Sequence, residues 1–185
     1  MRDDYRSCAL LGVFCRHLAV ADEGGQFVAC TNLGLCAALQ GDLAAATSHH
    51  QEALRIAIRL QSYSGQGVAV GNLGLMALRS GELATARACL EQHLQLVQSL
   101  KDPSAEANAW VLLGQIADAG GDFGAAVECF ERAAAIAEAQ RELALLKRVN
   151  CLVGVARGNE SLAAHFAGLK RFAAVGYAGA AAEDP

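Results

Sequence analysis

Proline, aromatic residues and clustered positive charge are scarce in this chain of 185 residues. It has two prolines and 5% Phe, Trp and Tyr, while Ala and Leu abound, a composition typical of an all-helical protein. The formal net charge is -4 and no basic block occurs, which argues against nucleic acid or an anionic membrane as the main partner. With 54% apolar residues, the chain is too hydrophobic to be disordered and long enough for one domain.

The seven cysteines are odd in number and include no C-x-x-C pair. Zinc sites use ligands paired at short spacings, and disulfide frameworks belong to small secreted chains, so we expect neither here. A free cysteine behaves as a small buried hydrophobe. The cysteines therefore predict a reducing, cytoplasmic setting.

No long hydrophobic run marks a membrane span. The uncharged stretch from Gly24 to Gly41 comes closest in length, but it contains several Gly, Gln, Thr and Asn residues. It recurs downstream in a form that is interrupted by Arg79, which favours a buried helix. We therefore expect no insertion into a membrane.

What the sequence does contain is an internal repeat of 40 residues. The string Asn32-Leu33-Gly34-Leu35 returns as Asn72-Leu73-Gly74-Leu75, and glycine recurs at the same interval at positions 114 and 154. Two further series keep this step, namely Gly41-Asp42-Leu43, Gly81-Glu82-Leu83 and Gly121-Asp122-Phe123, and the alanines Ala46, Ala86 and Ala126. A fixed period in this range predicts a solenoid of stacked units.

Each unit is predicted to hold two antiparallel helices, called helix A and helix B. A glycine ends helix A because it tolerates a left-handed backbone, and the acidic residue after it favours the N-terminus of helix B. Asp102 and Pro103 are predicted to cap and begin the third helix A. The predicted A helices span 27–39, 68–79 and 105–119, the B helices 43–60, 83–100 and 123–140, and the turns between units 62–67 and 101–104.

The two ends of the chain depart from this repeat. Residues 1–25 are predicted to form a capping helix equal to half a unit, unless the chain is a piece of a longer protein. Residues 26–142 hold three units. Residues 143–173 are predicted to be a degenerate fourth repeat with helices at 143–157 and 161–172, because a solenoid needs atypical terminal units. Residues 174–185 are expected to form a flexible tail.

The third unit carries the motif that identifies the repeat. Trp110-x-x-Leu113-Gly114-x-x-Ala117 is followed by Ala126-x-x-x-Phe130, with Ala126 expected to oppose Gly114. The sequence thereby resembles the tetratricopeptide repeat family. The long period, the Asn-Leu-Gly strings and the spacing from Ala46 to His50 are most similar to its LGN-like branch. The resemblance implies an all-α fold, a right-handed superhelix (α-solenoid) of antiparallel helix pairs with a concave groove for partner proteins.

Helix A has a second face, opposite the one that packs inside the unit, and this face is also largely apolar. The resemblance implies that it lines the concave groove. The predicted groove residues are Val28, Thr31, Asn32, Leu35, Val68, Asn72, Leu75, Leu78, Arg79, Asn108, Val111, Gln115 and Asp118. A soluble monomer does not usually expose so large an apolar patch. We therefore expect an apolar peptide or amphipathic helix of a partner protein to dock there, with the polar side chains fixing its register.

Several alternatives remain open for this face. The chain's own tail could cover the groove, or neighbouring A helices could close it. The resemblance implies that Asn32 and Asn72 contact the partner backbone, but Leu35 and Leu75 stand where the family string has another Asn. That departure favours a more apolar ligand, and a hydrogen bond between helices explains either Asn equally well.

The predicted function is a non-enzymatic adaptor or scaffold. His50 and His93 fall on the inner face of helix B, and no histidine has a carboxylate or cysteine at metal spacing. No phosphate-binding loop, nucleophile elbow or activated cysteine is recognisable, so we expect no catalytic residue, metal or cofactor. The alternative function is a permanent structural subunit of a larger complex, such as a cytoskeletal or ciliary assembly, which would need its neighbour to stay soluble.

Overall fold

The structure, a computed structural model, describes residues 12–14, 16, 18, 19 and 21–180, with side chains up to residue 170. Residues 1–11, 15, 17 and 20 of the predicted N-terminal cap and the last five residues of the predicted tail lie outside the described residues. From residue 23 onward the described chain forms seven helices and no strand. They are α1 (Glu23–Leu39), α2 (Leu43–Arg59), α3 (Tyr63–Arg79), α4 (Leu83–Ser99), α5 (Pro103–Ala119), α6 (Phe123–Ala139) and α7 (Leu143–Ala180).

The helices begin at intervals of 20 residues, so two helices with their turns make up one period of the sequence repeat. Unit 1 is the pair α1–α2, unit 2 the pair α3–α4 and unit 3 the pair α5–α6. Each helix packs against the next one along the chain, and the short turns make neighbouring helices antiparallel. The predicted all-α solenoid of helix pairs is confirmed.

Short polar side chains begin most of these helices. Asp42 Oδ1 accepts a hydrogen bond from the backbone N–H of Ala45, and Asp122 Oδ1 accepts one from Ala125. Asp102 caps α5 in the same way, and Pro103 is its first residue, as predicted. Such caps satisfy backbone N–H groups that have no partner inside the helix. Glu82, at the equivalent position before α4, makes no side-chain cap.

The A helices start earlier than predicted, and the turn predicted at 62–67 is wrong. Helix α3 begins at Tyr63, because Ser62 Oγ accepts a hydrogen bond from the N–H of Gly65, 3.1 Å away. Gly65 is helical and buried, and a Cβ added to it would lie 3.1 Å from Cβ of Ala57. Glycine here therefore permits close packing of α3 on α2 and does not form a turn.

In units 1 to 3, the glycine of the 40-residue series receives a large side chain from the second helix of its own unit. A Cβ on Gly34 would lie 2.5 Å from the ring of His50, one on Gly74 would lie 2.8 Å from Leu90, and one on Gly114 would lie 2.5 Å from the ring of Phe130. The three side-chain atoms nearest to Gly114 thus belong to the ring of Phe130 and not to Ala126, the residue expected to oppose it. Ala126 is nevertheless fully buried in the same core.

The C-terminal part forms one helix where two were predicted. Helix α7 continues from Leu143 through the predicted junction near Arg157 to Ala180, so residues 174–180 of the predicted tail are helical. Gly158 has no positive φ, and the string Arg157-Gly158-Asn159-Glu160 lacks the glycine, acid and apolar residue that form the other turns. Without a left-handed residue, nothing interrupts the helix.

No helix in the described part of the chain combines the length and hydropathy that crossing a membrane requires.

Candidate functional site

The stack of helices curves toward the layer formed by α1, α3 and α5. These odd-numbered helices are not adjacent in sequence, yet α1 contacts α3 and α3 contacts α5 directly. Helix α2 does not approach α4 as closely, and α4 does not approach α6 as closely. The odd-numbered layer therefore lies on the concave side of the stack. The face of this layer that points away from the even-numbered helices forms the candidate groove.

Most of the predicted groove residues are accessible on this layer. Val28, Leu35 and Val68 have 50%, 41% and 44% of their surface exposed. Arg79, Asn108 and Gln115 are also exposed. The half-buried members are Thr31, Asn32, Asn72, Leu75, Leu78 and Asp118. Since apolar side chains of α1 and α3 remain open, the described residues do not cover the groove at that end.

Val111 is the exception among the predicted groove residues. Its side chain is 4% exposed and belongs to the core cluster that contains Val149 of α7. Helix α7 packs beside α5 and covers this position, whereas the equivalent residues of units 1 and 2 are Thr31 and Gly71. Val111 still lines a pocket between α5 and α7 together with Asn108 and Gln115, so its place in the groove stays a prediction.

The amide side chains of the groove differ in their hydrogen bonding. Asn108 Nδ2 donates to the carbonyl oxygen of Ser104 at 3.0 Å, and Asp118 Oδ1 accepts from Nδ2 of Asn159 at 3.3 Å. Within the described structure, neither Asn32 nor Asn72 has a side-chain hydrogen-bond partner. A local bond between helices therefore does not engage these two side chains, and their amides are available to a ligand.

The groove changes character from one end to the other. Equivalent positions carry Val28, Val68, Asn108 and Arg148 in successive odd-numbered helices, and another set carries Leu35, Leu75, Gln115 and Val155. The face is thus apolar on α1 and α3 and more polar on α5 and α7. Leu39, which is 84% exposed, extends the apolar part to the end of α1.

Sequence reasoning missed the contribution of α7. Arg148 and Leu152 join Asn108, Leu112 and Gln115 around a pocket of about 390 Å³ between α5 and α7. Arg148 is exposed, and the described part of the chain offers it no ion-pair partner within 4.0 Å. The 40-residue period that relates Arg148 to Asn108 and Val68 was the signal that could have identified it.

Several buried cysteine and histidine side chains take part in packing between the helices. Burial raises the pKa of Cys30, Cys89 and Cys129, which keeps these thiols protonated and poorly nucleophilic. His93 Nδ1 lies 2.7 Å from the carbonyl oxygen of Gly67, and His50 is fully buried, so both pack on the inner face of helix B as predicted. Within the described ranges, no group of three His, Cys, Asp or Glu side chains converges on a point where a metal could bind.

The fold and this face define an α-solenoid of helix pairs. Residues 65–139, within units 2 and 3, match the family model described as "Tetratricopeptide repeat". Repeats of this family are general scaffolds for protein interaction. No curated protein matches the chain by sequence.

Two solved structures share the fold. The N-terminal domain of stress-induced protein-1 (STI-1) from C. elegans has a TM-score of 0.55 and 20% identity, covering 71% of this chain and 98% of that one. BtubC (BKLC) from P. vanneervenii has a TM-score of 0.64 and 17% identity, covering 98% of this chain and 76% of that one. At such identities the likeness concerns the fold alone.

Proposed function

We propose that this chain is a non-enzymatic adaptor that binds an apolar peptide or amphipathic helix of a partner protein in the groove on α1, α3, α5 and α7. The carrying observation is the open apolar surface of α1 and α3, where Val28, Leu35 and Val68 are between 41% and 50% exposed. Side chains in such a concave row lose water when a partner's apolar face covers them.

Polar groups along the same face support a specific partner. The unbonded amides of Asn32 and Asn72 lie next to the exposed apolar residues and can bond a partner backbone. At the other end, Arg148 and Gln115 offer hydrogen-bond donors around an apolar floor. Apolar side chains supply affinity, while a few placed polar groups fix the orientation of the bound segment.

The division of the chain and its branch of the family belong to the same proposal. The 20-residue spacing of helix starts supports three units over 26–142, and the proposal keeps a cap over 1–25 and an atypical C-terminal unit over 143–173. The 40-residue period is longer than the roughly 34 residues of the ordinary tetratricopeptide repeat, which supports the LGN-like branch.

The test is selection of binders from a displayed library of random 16-residue peptides, followed by fluorescence anisotropy. We expect Leu35→Asp and Val68→Asp to weaken the binding of the selected peptides at least about tenfold, because each substitution places a charge in a desolvated apolar contact. Ile58→Asp is the matched control, since Ile58 is 55% exposed but lies on α2, in the other layer. The Ile58→Asp variant should bind the selected peptides with the affinity of the parent chain.

Helix content by circular dichroism separates binding from folding in each variant. Peptides that bind the parent, Leu35→Asp and Ile58→Asp chains equally would show that the groove is not the binding surface. A chain that stays soluble only with a co-purified neighbour would instead match the alternative of a permanent structural subunit.

A further inference from the structure

The most unusual side chain in the core is His50 on α2. It is 0% exposed, and among the described residues its Nδ1 and Nε2 are the buried side-chain atoms without a hydrogen-bond partner. Buried polar groups are nearly always hydrogen-bonded, because an unpaired one loses its bonds to water without replacement. The lack of any partner for this ring therefore requires an explanation.

The place that His50 occupies is built for an apolar side chain. Equivalent positions in units 2 and 3 hold Leu90 and Phe130, which are 0% and 2% exposed. Each of the three side chains packs against the glycine of its own unit, and the added Cβ on Gly34 would lie within 2.8 Å of three ring atoms of His50. The socket accepts a neutral imidazole as it accepts a leucine or a phenyl ring.

Among the described residues, burial and His49 are the influences that shift the pKa of His50, and no carboxylate offsets them. Helix α1 contributes the buried thiol of Cys30, one turn before Gly34, and α2 contributes His49 and Glu52. Helix α3 carries Tyr63 and Arg79 only at its two ends, and His17 lies outside the described residues. Burial lowers the pKa of His50, and repulsion from His49 lowers it further.

We propose that His50 makes unit 1 pH-sensitive, so that protonation of its ring opens the α1–α2 pair while units 2 and 3 remain folded. In a solenoid each unit contacts only its neighbours, so one unit can open while a more distant unit stays folded. This inference does not depend on the proposed function. Where a partner occupies the groove, opening of α1 removes Val28, Asn32 and Leu35 from the binding face.

The sign of the effect follows from linkage between protonation and folding. In the open state His50 titrates near its ordinary pKa of about 6.5, whereas in the folded state its pKa is lower. Above the ordinary value both states are neutral and unit 1 has its full stability. As the pH falls from that value toward the folded pKa, the open state binds the proton first and stability is lost.

The experiment is hydrogen exchange followed by mass spectrometry on the full chain at about pH 7.5 and about pH 5.5, corrected for the chemical exchange rate. We expect the opening constant of peptides from α1 and α2 to rise up to about tenfold, since one proton changes it tenfold per pH unit. Peptides from α5 and α6 should not respond.

Two substitutions replace the titrating ring of His50 with a side chain that another unit of this chain has at the equivalent position. His50→Phe copies Phe130 and His50→Leu copies Leu90, so at least one of them should fold, and either should abolish the pH response of unit 1. His49→Gln is the matched control and should keep most of the response, because burial is the larger cause of the lowered pKa of His50. A parent chain without the response, or one whose response persists in the folded His50 variants, would overturn the inference.

Discussion

Glycines at equivalent positions of this chain have opposite structural meanings. Gly114 faces the Phe130 ring so closely that an added Cβ would lie 2.5 Å from it, while a Cβ on Gly154 would meet no atom within 4 Å beyond its own stretch of helix. Both are in the middle of helices, where glycine costs about 0.5–1 kcal/mol relative to alanine. The repeat period makes them alike, and only packing distinguishes them.

We therefore expect the same substitution to act with opposite sign at these two positions. Gly154→Ala should raise the free energy of unfolding by about 0.5–1 kcal/mol through helix propensity. Gly114→Ala should lower it by about 1 kcal/mol or more, because overpacking against Phe130 exceeds that gain. Urea unfolding measures both. Equal stabilisation in the two variants would show that the ring moves aside freely.

The sequence predicted the close approach at these glycines, but not the side chain that fills the space. Gly114 was paired with the small Ala126, whereas the ring of Phe130 occupies its place. Val111 was assigned to the groove from its angular position on α5, yet α7 covers it. An angle on one helix predicts which residues share a face, but not where the next helix will lie.

At the scale of helices, the helix ends of this chain form an internal comparison. Asp42 and Asp122 cap α2 and α6 through their carboxylates, but Glu82 at the equivalent position makes no cap to α4. The extra methylene of glutamate moves its carboxylate away from the backbone N–H groups that aspartate reaches. Helix α4 therefore begins with a defect that its neighbours do not have.

Shortening this side chain should stabilise the protein. We expect Glu82→Asp to raise the free energy of unfolding by about 0.5–1 kcal/mol, as measured by thermal or urea unfolding. The reciprocal change Asp122→Glu should lower it by a similar amount, and both variants keep the charge unchanged. If the free energy of unfolding changed in neither variant, water would cap these helix ends as well as a carboxylate does.

The turns explain why helix boundaries were harder to predict than helices. Gly41, Gly81 and Gly121 have φ between 80° and 85° and were recognised as helix ends. Gln61, Lys101 and Arg141 play the same part between units with φ between 53° and 58°. Because these residues are not turn formers by type, the turn after α2 was instead assigned to the glycine-rich string that begins α3.

The curvature of the whole molecule lies beyond what the repeat pattern can specify. A period predicts that units stack, and the composition of each face predicts which side is buried. The choice of the odd-numbered layer as the inner side depends on how closely α1, α3 and α5 approach one another. That distance results from all side chains between the units, including small residues such as Ala69 and Ala109, which are fully buried.

Stacking of neighbours also determines how damage spreads through the molecule. Phe130 is 2% exposed in the core shared by α5, α6 and α7, and no described contact links this core to α1 or α2. We expect Phe130→Ala to cost about 3–5 kcal/mol locally and to speed hydrogen exchange in α5, α6 and α7. Exchange in α1 and α2 should change little, because units of a solenoid couple only to their neighbours. Leu90→Ala should in turn speed exchange mainly in α3, α4 and α5, which share the core around Leu90. A uniform increase over all seven helices would show that the chain unfolds as one cooperative block.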